Sequence, residues 1–143
     1  MTSFGFCGDS GNRVEGMQDA LNGKYNIYQG LEDLCQALKD LRCGKEYETM
    51  KNVVNGIHRI KKGLCEVKEG LHGLGGRIDN RGLREIKAGI QCICKGLEVL
   101  CSVLKDTCCG NFDEAEKCLV EAIELIKSGF CKIDKGLDDI CLY

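Results

Sequence analysis

Glycine returns every seventh residue in four stretches of this chain: Gly16, Gly23 and Gly30; Gly56, Gly63 and Gly70; Gly82, Gly89 and Gly96; Gly129 and Gly136. Around each stretch the apolar residues step three and four apart. Val53, Ile57, Ile60, Leu64, Val67, Leu71 and Leu74 form one such series, and Leu83, Ile86, Ile90, Ile93, Leu97, Leu100 and Leu104 another. Leu119, Ile123, Ile126, Phe130, Ile133, Leu137 and Ile140 form a third, while Met17, Ala20, Ile27, Leu31, Leu34, Leu38 and Leu41 keep the phase more weakly. Such spacing, sustained over about four heptads, predicts an a/d seam between helices packed at shallow angles. Proline is absent from all 143 residues, as long uninterrupted helices require. The expected fold class is all-α: two tandem helical hairpins forming a four-helix bundle-like unit with glycine-striped heptads. Each helix should run roughly 28–31 residues, or about 40–45 Å.

With Ile57 and Leu64 at a, every one of these glycines falls at g, beside the seam, and Ala37 and Ala122 occupy the same slot. A glycine inside a helix costs ~1 kcal/mol relative to alanine, so this set implies a penalty on the order of 10 kcal/mol. That rivals the net stability of a whole domain. Strict sevenfold recurrence in all four stretches argues against drift in poorly constrained helices. A stripe without side chains instead lets a neighbouring backbone come close, as small-residue stripes do between membrane helices. The sequence leaves open whether that neighbour belongs to the same chain.

Sliding the chain against itself by 66 residues aligns Leu31–Leu71 with Leu97–Leu137 without a gap, and 19 of the 41 pairs are identical. Repeats of this kind define architecture before any finer reading. Three cysteines recur (Cys35/Cys101, Cys43/Cys109, Cys65/Cys131), and the register continues upstream through Gly16/Gly82 and Ile27/Ile93. Gly44 and Gly110 fall where the apolar pattern stops and restarts, as helix-ending glycines do. Asn111 with Glu114 resembles a capping box. Gly73-Leu74-Gly75-Gly76 marks the joint between the copies. The expected organisation is a flexible cysteine-containing arm over 1–12, one hairpin over 13–76 and a second over 77–143.

Twelve cysteines are the other unusual count. Cysteines that merely fill a core would sit at a and d. Here Cys35, Cys94, Cys101, Cys108 and Cys141 are at e, Cys65 and Cys131 at b, Cys92 and Cys118 at c, and Cys43 and Cys109 at f, while Cys7 precedes the first apolar series. They point sideways or outward. Cys94, Cys101 and Cys108 form a ladder with about 10.5 Å per step, too wide for bridges within one helix. Cys101 and Cys118 lie at similar heights either side of the Gly110 turn and are the expected internal pair. Cys7, Cys43, Cys108, Cys109 and Cys141 sit at chain ends or hairpin tips and are the expected links between molecules. Cys35, Cys65, Cys92, Cys94 and Cys131 remain further cross-link candidates. Connectivity is not deducible from spacing alone.

Other chemistries are poorly supported. The charge is nearly balanced, 20 basic against 22 acidic residues, with no basic stripe to grip nucleic acid. No apolar run approaches the ~18–20 residues of a membrane span. The N-terminus has neither the basic nor the apolar region of a signal peptide, so synthesis in the cytosol is expected. His58 and His72 are the two histidines, both on the outer side of the second helix. No redox C-x-x-C, nucleophile elbow or phosphate loop emerges, so no enzyme activity and no cofactor are expected. Zinc sites want C-x₂₋₄-C spacing, which is absent. A thiol-rich bundle storing a soft metal such as Cu(I) is the alternative reading, although its thiols should line the interior. A helical module that binds a partner coiled coil or a lipid surface is a third possibility, but it needs neither glycine stripes nor thiols.

In overall character, with the repeated Cys35/Cys43/Cys65 and Cys101/Cys109/Cys131 sets as the most specific element, this cysteine-rich chain, expected to be made in the cytosol, resembles the cysteine-rich coat and exosporium proteins of spore-forming bacteria. That resemblance implies a structural protein that self-assembles in the mother cell and is later cross-linked by disulfides into a layer or filament. Its partners would be copies of itself and other cysteine-rich layer proteins, and it would end on the spore surface.

Overall fold

The computed structural model describes residues 2–74 and 80–141, with side chains described over residues 14–74 and 81–140. These residues form four helices: α1 (Thr2–Arg42), α2 (Glu46–Leu74), α3 (Asn80–Cys108) and α4 (Phe112–Cys141). α1 packs along α2 and α3 along α4 as two hairpins, which is the expected all-α architecture. The last three helices have 29, 29 and 30 residues, whereas α1 has 41. Helical backbone thus begins at Thr2, within the stretch read from the sequence as an arm. The side chain of Cys7 lies outside the described residues.

Each hairpin turns on a glycine. Gly44 has φ of 74° and Gly110 φ of 81°, a left-handed conformation that a side chain would strain. The Gly44 N–H donates to the Leu41 carbonyl and the Lys45 N–H to that of Asp40; Gly110 to Thr107 and Asn111 to Asp106 repeat the arrangement 66 residues later. This pair of bonds is the Schellman cap, which satisfies carbonyls orphaned at a helix end.

The glycine stripes close on each other within each hairpin. A Cβ built on Gly23 would meet the Gly63 carbonyl oxygen, and one built on Gly63 would lie 2.5 Å from the Gly23 oxygen. Gly16 pairs in the same way with Gly70, and Gly30 with Gly56. In the second hairpin Gly89 faces Gly129, Gly82 faces Gly136, and Gly96 faces Ala122. The partners step seven residues up one helix and seven down the other, so the register is antiparallel and unbroken. Ala37 with Thr49, and Val103 with Ala115, continue that register toward the turns, and all four are buried.

The tight seam is therefore built from d and g, not from a and d. Ile27, Leu34, Val53, Ile60 and Val67 at d are fully buried, as are Ile86, Ile93, Leu100, Leu119, Ile126 and Ile133 in the second hairpin. Of the a residues, Met17, Leu38, Ile57, Leu71, Ile90, Leu97, Leu104 and Phe130 are half-buried, while Leu31, Leu64, Ile123 and Leu137 are buried. They face the space between hairpins. Glycine at g explains the shift: with no side chain there, each helix rolls until its g row lies against the opposite backbone. Carbonyls then lie close enough for Cα–H···O contacts, each contributing ~0.5–1 kcal/mol.

This geometry reverses an ordinary rule. Alanine should gain about 1 kcal/mol over glycine inside a helix, but in this seam its methyl would strike a carbonyl oxygen and force the helices apart. G23A and G129A should each lower stability by about 1–3 kcal/mol, the range of overpacked cores. Urea denaturation followed by circular dichroism measures this, and a stabilising effect of either variant would refute the close-contact account.

Candidate cross-linking surface

Between the hairpins, contact is uneven. α1 lies against α4 over a substantial surface, and α2 touches α3 much less. The α1/α4 edge carries specific contacts. Lys24 Nζ sits 2.7 Å from Asp134 Oδ1, Arg42 Nε lies 3.5 Å from Glu116 Oε2, and the rings of Tyr28 and Phe130 lie 6.1 Å apart in a tilted arrangement. The duplication makes the α3/α2 edge its structural equivalent. There Ile90 and Lys68 stand for Lys24 and Asp134, Cys94 and Leu64 for Tyr28 and Phe130, and Cys108 and Met50 for Arg42 and Glu116. Both ion pairs and the ring contact are lost. A cleft of about 540 Å³ remains between α2 and α3, lined by Leu71, Leu83 and Ile90 with Lys68, His72 and Lys87. Two ammonium groups of like charge on its opposite walls favour keeping it open.

The same substitution logic governs contacts inside the hairpins. In the first, Asn52 donates to Asp40 Oδ2 at 2.8 Å, and Asn26 donates to Glu66. In the second, the asparagine equivalents are Cys118 and Cys92. Cys118 Sγ lies 4.0 Å from Asp106 Oδ2, and Lys132 Nζ donates to Cys92 Sγ at 3.5 Å. Cys92, Cys94, Cys108 and Cys118 have no cysteine counterpart in the first hairpin. Each of the four replaces a residue that holds a partner there.

All ten cysteines with described side chains are free thiols. Cys43, Cys65, Cys94, Cys101, Cys108, Cys109 and Cys131 are exposed; Cys35, Cys92 and Cys118 are half-buried. Cys43 and Cys109 fall at the hairpin tips and Cys108 ends α3, where the sequence placed them. The side chains of Cys7 and Cys141 lie outside the described residues. Cys101 and Cys118, the expected internal pair, are not brought together. They share a height, but e and c lie on opposite sides of the d/g seam, so Cys101 faces outward on one flank and Cys118 faces Asp106 on the other. Cys35 and Cys131 line one cleft of about 470 Å³ between α1 and α4. With Tyr28 opposite Phe130, Cys35 comes level with Ile123, eight residues or about 12 Å from Cys131, too far for a bridge.

Among the described residues no three His, Cys, Asp or Glu side chains converge where a metal ion could sit, and no helix is long and apolar enough to cross a membrane. No protein family, curated protein or solved structure matches the chain. What the fold defines is an all-α class, a pair of glycine-seamed hairpins carrying thiols on the outside.

Two titrating groups report on these surfaces. Burial, reinforced by the carboxylates of Glu114, Asp106 and Glu121, pushes the Cys118 thiol above its ordinary value. The thiolate is the reactive form, so at pH 8 Cys118 should be alkylated by iodoacetamide more slowly than exposed Cys101, as read by mass spectrometry of the peptides. Equal rates would contradict that environment. Burial also raises the Asp33 carboxyl, against a smaller opposing pull from Arg59, whose Nε lies 3.4 Å away, and with a further push from Glu32. A carboxyl raised in the folded state favours folding when protonated. It becomes a burden as pH rises from the unfolded chain's ordinary value through the raised folded one. D33N should therefore raise the melting temperature at pH 7, with the difference vanishing near pH 3.

Proposed function

We propose that this protein is a self-assembling structural unit whose outward thiols lock contacts between copies, forming a disulfide-cross-linked layer or filament. The observation that carries the reading is a division of labour. The hairpins are closed by backbone contact at the glycine seam, while seven thiols are exposed on surfaces that the seam does not use. Disulfides between such thiols would oppose dissociation of an assembly rather than hold up the monomer. The resemblance to spore coat and exosporium proteins supplies a place for that chemistry: assembly beside other cysteine-rich layer proteins on a spore surface that is later oxidised.

Two measurements test the proposal. Replacing the seven exposed cysteines, Cys43, Cys65, Cys94, Cys101, Cys108, Cys109 and Cys131, by serine should leave the helical signal intact and the melting temperature within a few degrees of wild type, since exposed substitutions change stability little. Negative-stain electron microscopy should show sheets or filaments of the wild-type protein that resist dissociation once oxidised and come apart under reductant. Discrete particles under both conditions, with all thiols still free after oxidation, would end the structural reading.

A further inference from the structure

We propose that the exposed e-row flank of α3, along its lightly packed edge with α2, is a two-fold docking surface for α3 of a second copy, running antiparallel about Cys101. Disulfides would then join Cys101 to Cys101 of that copy, and Cys94 to its Cys108. The inference rests on the building-block reading above and names its first contact.

Three adjacent rows of α3 carry the argument. The e row presents Cys94, Cys101 and Cys108, all exposed and evenly spaced seven residues apart. A ladder with a central rung is self-complementary: turned end for end about Cys101, it brings each outer thiol level with the opposite one. On one side of it, the a row offers Leu97 and Leu104, half-buried because α2 covers them incompletely. On the other side, the b row offers Glu98 and Lys105, both exposed. A two-fold axis perpendicular to the helix pair sets like rows face to face, so Leu97 meets Leu104 and Glu98 meets Lys105 of the second copy, each twice. Apolar contact, paired opposite charges and thiols fall in register together. A parallel arrangement would set the b row against the a row and pair no charges. The interface is isologous.

Bridging follows by exchange. A thiolate of one copy attacks a small-molecule disulfide, releasing one small thiol and leaving a mixed disulfide. The facing cysteine of the second copy attacks that mixed disulfide and releases the second small thiol. For each bridge, two cysteine thiols are oxidised and one small disulfide is reduced to two thiols.

Single-thiol variants test the register, with circular dichroism confirming that each is folded. A chain keeping Cys101 alone should form a covalent dimer with oxidised glutathione. A chain keeping Cys94 alone should dimerise at least about tenfold more slowly, because its two thiols would lie about 21 Å apart. In the Cys101-only chain, E98K should weaken dimerisation about fivefold, as two exposed ion pairs warrant, and E98K with K105E should restore it. Equal dimerisation of the Cys94-only chain, or indifference to E98K, would overturn the antiparallel register. If neither single-thiol chain dimerises while wild type still cross-links through other cysteines, this interface is wrong and the building-block reading stands. If wild type stays monomeric with free thiols, both fall.

Discussion

Backbone meets backbone in this protein, and the rest of the architecture follows from that contact. A glycine at g removes the side chain that ordinarily keeps two helices apart, and the carbonyl of Gly63 occupies the space that a Gly23 methyl would need. Repeated at each heptad along both hairpins, with d side chains such as Ile60, Ile86 and Ile126 packed onto the facing glycines, the contact sets the antiparallel register. It also sets the roll of each helix, turning d inward beside g and leaving a to face the other hairpin. The helical penalty of so many glycines, on the order of 10 kcal/mol, is offset by dispersion and Cα–H···O contacts that only such an approach allows.

Because the hairpins close on d and g, the joint between them has to be made from a and e. On the α1/α4 edge it is made well, through Lys24 with Asp134, Arg42 with Glu116 and Tyr28 against Phe130. The Arg42 pair is exposed and contributes little by itself, as surface pairs generally do; the contact of exposed Tyr28 with half-buried Phe130 and the Lys24 pair contribute more. On the α2/α3 edge none of these residues survives, and Lys68 and Lys87 flank an open cleft. Two hairpins joined mainly along one edge are a different object from a uniformly packed bundle, although the element order is the same.

Much of this was legible in the residues. The 3–4 apolar steps gave the helices, the 66-residue register gave the duplication, and Gly44 and Gly110 marked turns that their positive φ values explain. The recurring glycines announced close approach. What the pattern did not reveal was the partner, because a stripe of small residues is equally compatible with a neighbour in the same chain or another. The choice of d/g over a/d was also hidden, since both seams share the d residues and differ only in how each helix rolls. That roll is what separated Cys101 from Cys118: equal height along a hairpin is necessary for a bridge, but the side of the seam decides. The contacts of Cys92 and Cys118 were missed as well. They were recoverable in part, because the alignment sets both opposite asparagines, residues that hold hydrogen bonds in helical hairpins.

Duplication within one chain explains how the thiols could gather on one side. In a dimer of identical hairpins, every substitution on one joining edge appears on the other, so trading Tyr28 or Arg42 for cysteine would weaken both edges at once. Once the two hairpins are covalently joined, the edges become independent. One can keep its ion pairs and ring contact and hold the unit together, while the other gives up those contacts without loss of the fold. Cys94 and Cys108 occupy the positions equivalent to Tyr28 and Arg42, and with Cys101 they form an exposed row on α3. The edge with the lighter internal packing is thus the one that carries the thiol row.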